Sequence, residues 1–302
     1  MLYVLTQPKN KTHMTMKNML AAATLMAALT ATAQAPQYVI IQNPEIDLKE
    51  LKVDKEGYYV LFDGTSLNGW RGYCKDHIPG KWNLKDGCLH FNGRGESEGG
   101  DIIFTHQFQN FEFEVEWKVC EGGNSGIFYL GKESATIEPA KDETVQLAQG
   151  PVKGTFTVHK DAKLNYQPIY ISCPECQVLD NERHPDAKLG ATMGIRQSTS
   201  LYDMIVAKPQ NAKPAGEWNK VKITVKNGKV AHYQNGVKVL SYQLWGDEWE
   251  KLLQSSKFSQ KNWPLAYTML KNCGGEGKCG YFGFQDHGDE VWYRNIRVKV
   301  LK

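Results

Sequence analysis

No block of lysine or arginine interrupts the 302 residues, and the net charge is only +3. Nucleic acid is therefore not an expected partner. No apolar run reaches the ~20 residues that a membrane-spanning helix needs, so no membrane span is expected. There is no P-loop, no G-x-G-x-x-G after a strand, no G-x-S-x-G and no H-E-x-x-H, which removes several common nucleotide, hydrolase and metalloprotease signatures. Helical patterns do not alternate with strands, which argues against a parallel sheet. No internal repeat stands out.

The composition that remains is that of a soluble globular chain, 41% hydrophobic and 23% charged, with 28 glycines. Frequent turn dipeptides favour β structure. Near the N-terminus, Lys11, His13 and Lys17 precede the apolar run from Met19 to Ala31, which ends in Ala31-Thr32-Ala33. A basic region, an apolar stretch and small residues make an export signal over residues 1–33, with the product periplasmic or extracellular. Seven cysteines leave at least one thiol unpaired within the chain. Cys173 and Cys176 lie roughly 10 Å apart if extended, beyond bridging distance. Cys273 and Cys279 flank a glycine-rich loop that one disulfide could close; the favoured reading is small buried hydrophobes with at most that loop disulfide, and a four-cysteine zinc site is the less favoured one.

Residues 34–56 read as a linker or extended lead-in, and 57–302 as one β-sandwich catalytic domain. The expected class is all-β: a two-sheet antiparallel sandwich of jelly-roll type with one short helix, Trp245–Ser256. Asn227-Gly228 and Asn235-Gly236 make two tight hairpins in series. Their register sets Ile223 opposite His232 and His232 opposite Val239, so His232 reads as an interior histidine. Residues 132–166 look like an insertion, and 182–217 like a long loop of the kind that walls a site.

Three strands alternate apolar and polar side chains. In Phe111–Val119, the glutamates face away from Phe111, Phe113, Val115 and Trp117. In Pro174-Glu175-Cys176-Gln177-Val178-Leu179-Asp180-Asn181, Glu175 and Gln177 oppose Cys176 and Val178. In Gly280–His287, Tyr281, Gln285 and His287 oppose Phe282 and Phe284. The expectation is that these polar faces converge on one groove. An acid, an imidazole and amides there suit acid–base work on a polar substrate, and aromatics such as Trp70 and Tyr202 would stack on sugar rings. For most of the glutamate row a solvated sheet face is the simpler account; Glu116, nearest the next loop, is retained as a candidate.

Eight motifs then occur in order: Leu61-Phe62-Asp63-Gly64 with Leu67-Asn68-Gly69-Trp70, Gly122-Gly123-Asn124-Ser125-Gly126, Pro174-Glu175-x-Gln177-x-Leu179-Asp180-Asn181, Leu201-Tyr202-Asp203, Gly216-Glu217-Trp218-Asn219, Asn235-Gly236, Gln285-Asp286-His287-Gly288 and Tyr293-Arg294-Asn295-Ile296. Together they resemble the 3-keto-disaccharide hydrolase family, formerly a domain of unknown function, over roughly residues 56–302. The resemblance implies a concanavalin A-like lectin or glucanase sandwich and cleavage of a glycoside already oxidised at C3. It gives the cysteine pairs no role.

A C3 ketone acidifies the C2 hydrogen, so a base removes it, the C1 oxygen leaves and water adds. Glu175 and His287 are then the expected proton-transfer pair, with Asp180 orienting or balancing charge. Glu116, Asn124, Gln177, Tyr202 and Gln285 would bind the substrate. A divalent metal is a further candidate for holding the enolate, with His184, Asp180 and Glu175 as available ligands. The partners implied are an oligosaccharide or glycoside and a separate oxidoreductase that makes the ketone. The alternatives are a non-catalytic carbohydrate-binding module on the same fold and an ordinary glycosidase acting on unoxidised sugar.

Overall fold

A computed structural model describes residues 2–5, 38–138, 148–149, 155–157 and 163–302. Apart from the strand Leu2–Leu5, the export segment read at residues 1–33 lies outside the described residues.

Two antiparallel sheets pack face to face. The larger runs Val237–Gln243, Lys229–Gln234, Asn219–Lys226, Phe111–Val119, Val291–Val300, Cys88–Phe91 and Trp82–Lys85, with Tyr59–Phe62 also paired to Val291–Val300. The second runs Glu175–Leu179, Asn124–Gly131, Tyr281–Phe284, Ile102–Phe104 and Trp70–Gly72. Alternation along each strand sends one set of side chains into the space between them. Phe113 stacks on Phe282 at 4.1 Å between ring centroids, and Tyr293 on Phe284 at 3.9 Å. These pairs join the two sheets across the core.

Two features add to the expected sandwich. A third antiparallel sheet combines Leu2–Leu5 and Tyr38–Gln42 with Ser134–Glu138, Ala148–Gln149, Thr155–Thr157 and Lys163–Tyr166. A second helix, α2 (Pro264–Lys271), follows α1 (Asp247–Gln254). Its signal was present in the sequence: proline in the first turn, then Leu265, Ala266, Met269 and Leu270, which are all buried. Trp249 on α1 donates its indole N–H to the Leu270 carbonyl at 2.9 Å and ties the helices together.

The hairpins form as expected. Asn227, Gly228, Asn235 and Gly236 all have positive φ, as two-residue turns of this kind require. His232 pairs with Ile223 but faces Leu240 rather than Val239, because a bulge shifts the register between His232 and Tyr233. The bulge allows both Val239 and Leu240 to be buried. His232 is fully enclosed, with Nδ1 2.9 Å from the Thr199 carbonyl and Nε2 2.8 Å from the Tyr129 hydroxyl. Burial lowers its pKa to about 4. All seven cysteines are free, including Cys273 and Cys279. Cys173 and Cys176 sit in separate hydrophobic clusters on opposite faces of their segment.

Candidate functional site

The site is built on the outer face of the five-stranded sheet. Cys176 and Val178 enter the main core, so Glu175 and Gln177 take the opposite face. Gln177 pairs with Gly126 across the strands, and the Gln285 backbone N–H donates to the Gly126 carbonyl at 3.0 Å. Phe284 pairs with Ile102, which sets Gln285 beside Asp101. One row therefore reads Gln177, Gly126, Gln285, Asp101 across four strands. Glu175 leans over this row: a Cβ at Gly126 would lie 2.3 Å from its Oε1. Glycine at 126 leaves the room that the carboxyl occupies.

Glu175 is almost completely buried. Burial raises its pKa, the nearby Lys257 ammonium opposes the rise, and Asp101 and Asp186 add to it. Asp101 is pushed up to about 7, first by burial and also by the Asp286 carboxylate, against a hydrogen bond from the Asp286 amide at 2.9 Å. Two carboxyls that both resist ionisation thus flank Gln285, whose buried Oε1 has no protein partner. A buried acceptor left open in this way suits a ligand hydroxyl or water.

His287 belongs to the same face. The side-chain amides of Gln177 and Asn124 meet at 3.3 Å, and Asn124 meets His287 Nε2 at 3.2 Å. The other end of the Gln177 amide lies 3.2 Å from Glu175 Oε1, so Glu175 and His287 are the two ends of one chain of side chains. Asp289 accepts the Asn124 backbone N–H at 3.1 Å. The His184 ring stands edge-on to His287, with centroids 6.0 Å apart.

The long 182–217 segment lies against this site, and several of its side chains are tied to one another. Tyr202 donates its hydroxyl to Asp186 at 3.2 Å, Arg196 binds Asp186 at 3.1 Å and Asp203 at 2.8 Å, and Lys257 Nζ lies 4.3 Å from the centre of the Tyr202 ring. Tyr202 thus lies beside Glu175, to whose carbonyl its backbone N–H donates, but its ring already carries a cation. Burial lowers the Lys257 pKa, opposed by Glu175.

Three expectations change. Glu116 is on the other sheet, where Arg294 binds it at 2.8 Å, so it lies apart from Glu175 and His287. Alternation shows which side of its own strand a residue faces, and Glu116 is on a strand of the opposite layer. Trp70 is buried in the core, donating its indole N–H to the Leu61 carbonyl. Asp180 accepts backbone N–H groups from Gly122, Glu182 and Arg183, and its carbonyl accepts from His184. It shapes the turn that presents His184.

Among the described residues, the group close enough to hold a metal ion is His184, His287 and Asp289, with ligand atoms within 4.8 Å of one another. Asp180 and Glu175 are not in it. The fit is incomplete at His184. The Asp186 backbone N–H donates to its Nδ1 at 3.1 Å, which leaves the proton on Nε2. A ligating imidazole instead donates through its second nitrogen.

Asp101, Lys257, Asp186 and Asp289 were not read from the sequence as site residues. Asp289, in the Gly288-Asp289 turn after the Gln285-Asp286-His287 motif, carried a weak signal. Asp101 and Lys257 reach the site only through pairing and packing across the chain.

A family model for the 3-keto-alpha-glucoside-1,2-lyase-like domain matches residues 57–299. A protein of Bacteroides thetaiotaomicron named 3-keto-disaccharide hydrolase is 56% identical over 266 residues, which is 86% of this chain and 84% of that protein. A crystal structure from Parabacteroides distasonis, of a protein provisionally named a glycosyl hydrolase, shares 25% identity with a TM-score of 0.60. The match covers 82% of this chain and 95% of that one.

Proposed function

This chain belongs to the family of 3-keto-alpha-glucoside-1,2-lyase-like domains, and we propose that it cleaves glycosides already carrying a ketone at C3 of the sugar. It is a carbohydrate-cleaving enzyme of the hydrolase class. The observation that carries the finer reading is the line Glu175, Gln177, Asn124, His287 along one face of one sheet.

Glu175 and His287 transfer the protons. One takes the C2 hydrogen, whose C–H electrons form the enolate. The C1–O bond then breaks, C1=C2 forms, and the leaving oxygen takes a proton. Addition of water, with hydroxyl to C1 and hydrogen to C2, completes a net hydrolysis. A carboxyl with a raised pKa works near neutral pH in either direction. Burial, with Asp101 and Asp186 adding to it, keeps Glu175 from ionising early, the Lys257 ammonium lies close enough to offset negative charge, and the open Gln285 oxygen accepts a sugar hydroxyl. The ketone itself comes from a separate oxidoreductase.

The test is incubation with a 3-keto-glucoside and, in parallel, with its unoxidised parent. Release of a 3-keto sugar or its enone from the first alone supports the reading. Glu175→Gln should lower turnover by ~10²–10⁴. Binding without turnover makes this a carbohydrate-binding module, and turnover of the parent makes it an ordinary glycosidase.

A further inference from the structure

The geometry points to Gln177 and Asn124 as positioning residues that lock His287 in its Nε2–H tautomer and so leave Nδ1 as the lone pair that takes the proton. This deepens the reading above, which leaves the direction of proton transfer between Glu175 and His287 open, and it removes both amides from the set that binds substrate.

A backbone carbonyl fixes the orientation of the first amide. Gln177 and Asn124 are each about 1% exposed, so their amide atoms must be satisfied from within the protein. One end of the Gln177 amide lies 3.0 Å from the Ser125 carbonyl and 3.2 Å from Glu175 Oε1. A carbonyl oxygen only accepts, so that end is the nitrogen, whatever the protonation of Glu175. The Gln177 oxygen then faces Asn124 across 3.3 Å. Asn124 must answer with its own nitrogen, which turns its oxygen toward His287 Nε2 across 3.2 Å. An oxygen there accepts only from an N–H. The proton of neutral His287 is therefore on Nε2, and every bond in the chain runs in one sense, from imidazole to Asn124 to Gln177 to Glu175 and Ser125.

The consequence is a division of labour. His287, exposed at the mouth of the site, offers a fixed lone pair at Nδ1. When Nδ1 gains the C2 proton, the resulting cation is stabilised by an amide chain that ends on a carboxyl. Glu175, held from ionising by burial, keeps its other oxygen for the proton that goes to the leaving oxygen. Asp289, which is held by the Asn124 backbone N–H, lies in the same cluster and supports the cation.

The first experiment needs no variant and no substrate: ¹⁵N NMR of the full chain labelled at histidine, with His287 identified by comparison with His287→Gln. The neutral ring should show its proton on Nε2. A proton on Nδ1 would overturn the inference. Gln177→Leu frees Asn124 to turn, so the His287 signals should move to a mixture of tautomers. With the 3-keto-glucoside, kcat should fall about 10- to 100-fold while KM changes little. A raised KM with the tautomer unchanged would return both amides to substrate binding and sink the proposal. If the tautomer is as stated but no 3-keto-glycoside is turned over, the proposed reaction fails and the positioning role stands. Active enzyme with the opposite tautomer keeps the reaction and removes the positioning role.

Discussion

Asp101 illustrates how one residue acquires its chemistry from its surroundings. Its carboxyl is pushed up to about 7 from an ordinary 3.8 because it is buried near Asp286. Between those two values the folded protein holds a proton that the unfolded chain has lost, so stability falls as pH rises through that window. Asp101→Asn removes the titration while keeping an oxygen for the Asp286 amide. The stability advantage of Asp101→Asn over the parent should therefore grow from pH 4 to pH 7 and then level off, at no more than about 4 kcal/mol. Urea unfolding at a series of pH values measures it. His232 titrates in the opposite sense, being lowered to about 4, but it is common to both proteins and cancels in the difference. An advantage that is constant with pH would mean that Asp101 ionises normally in the folded state. Asp101 also explains why no reading of the residues could nominate it: it ends a glycine-rich loop, and only strand pairing sets it beside Gln285.

Among the elements, the Asn124–Gly131 strand is the hinge between core and chemistry. Gly126 and Gly283, on the neighbouring Tyr281–Phe284 strand, are both glycines on the site face, yet a methyl group meets different obstacles at each. At Gly126 it meets the Glu175 carboxyl at 2.3 Å, the free end of a side chain. At Gly283 it meets the Ile102 carbonyl at 2.8 Å, which is backbone held in the sheet. Gly126→Ala should therefore fold, with a thermal midpoint within a few degrees of the parent, and lose turnover toward the level of Glu175→Gln. Gly283→Ala should lose stability first, seen as a larger drop in midpoint. Equal activity of Gly126→Ala and the parent would show that the Glu175 carboxyl is free to sit elsewhere. The hairpins make the complementary point. Their turns were legible because asparagine–glycine pairs adopt positive φ at little cost. The bulge at His232 was not, because it answers to the burial of Val239 and Leu240 against another layer.

For the whole molecule, the sandwich separates two polar surfaces that look alike in one dimension. The glutamates of Phe111–Val119 and the Glu175–Gln177 pair follow the same alternation. The first group meets Arg294, Arg297, Lys220 and Lys222 on the outside of the larger sheet. The second meets acids, amides and one lowered lysine. A substitution on the first surface should leave catalysis alone: Glu116→Gln should keep kcat/KM on a 3-keto-glucoside within about twofold and shift stability by no more than about 1 kcal/mol, as for a partly exposed ion pair. A large loss of activity would place Glu116 back among the functional residues. Export is the other prediction at this scale. Expressed in a Gram-negative cell, the protein should appear in the periplasmic fraction with Gln34 as its first residue; retention of the N-terminal segment in the cytoplasm would refute that reading.

Local rules reach as far as one strand or one turn. Period-two alternation, asparagine–glycine turns and the scarcity of helical patterns determined an antiparallel sandwich, the interior place of His232 and the face taken by Glu175 and Gln177, because each follows from the chirality and hydrogen-bonding period of a single stretch of chain. Which faces meet is a different question. It depends on pairing between strands far apart in the chain, as in the Glu116–Arg294 ion pair, whose members are 178 residues apart. Tertiary structure therefore decided that Glu116 stands apart, that Asp101 and Lys257 join Glu175, and that a carbonyl at Ser125 reaches His287 through two amides. Burial and long-range registry create those relations, and neither exists until the layers close.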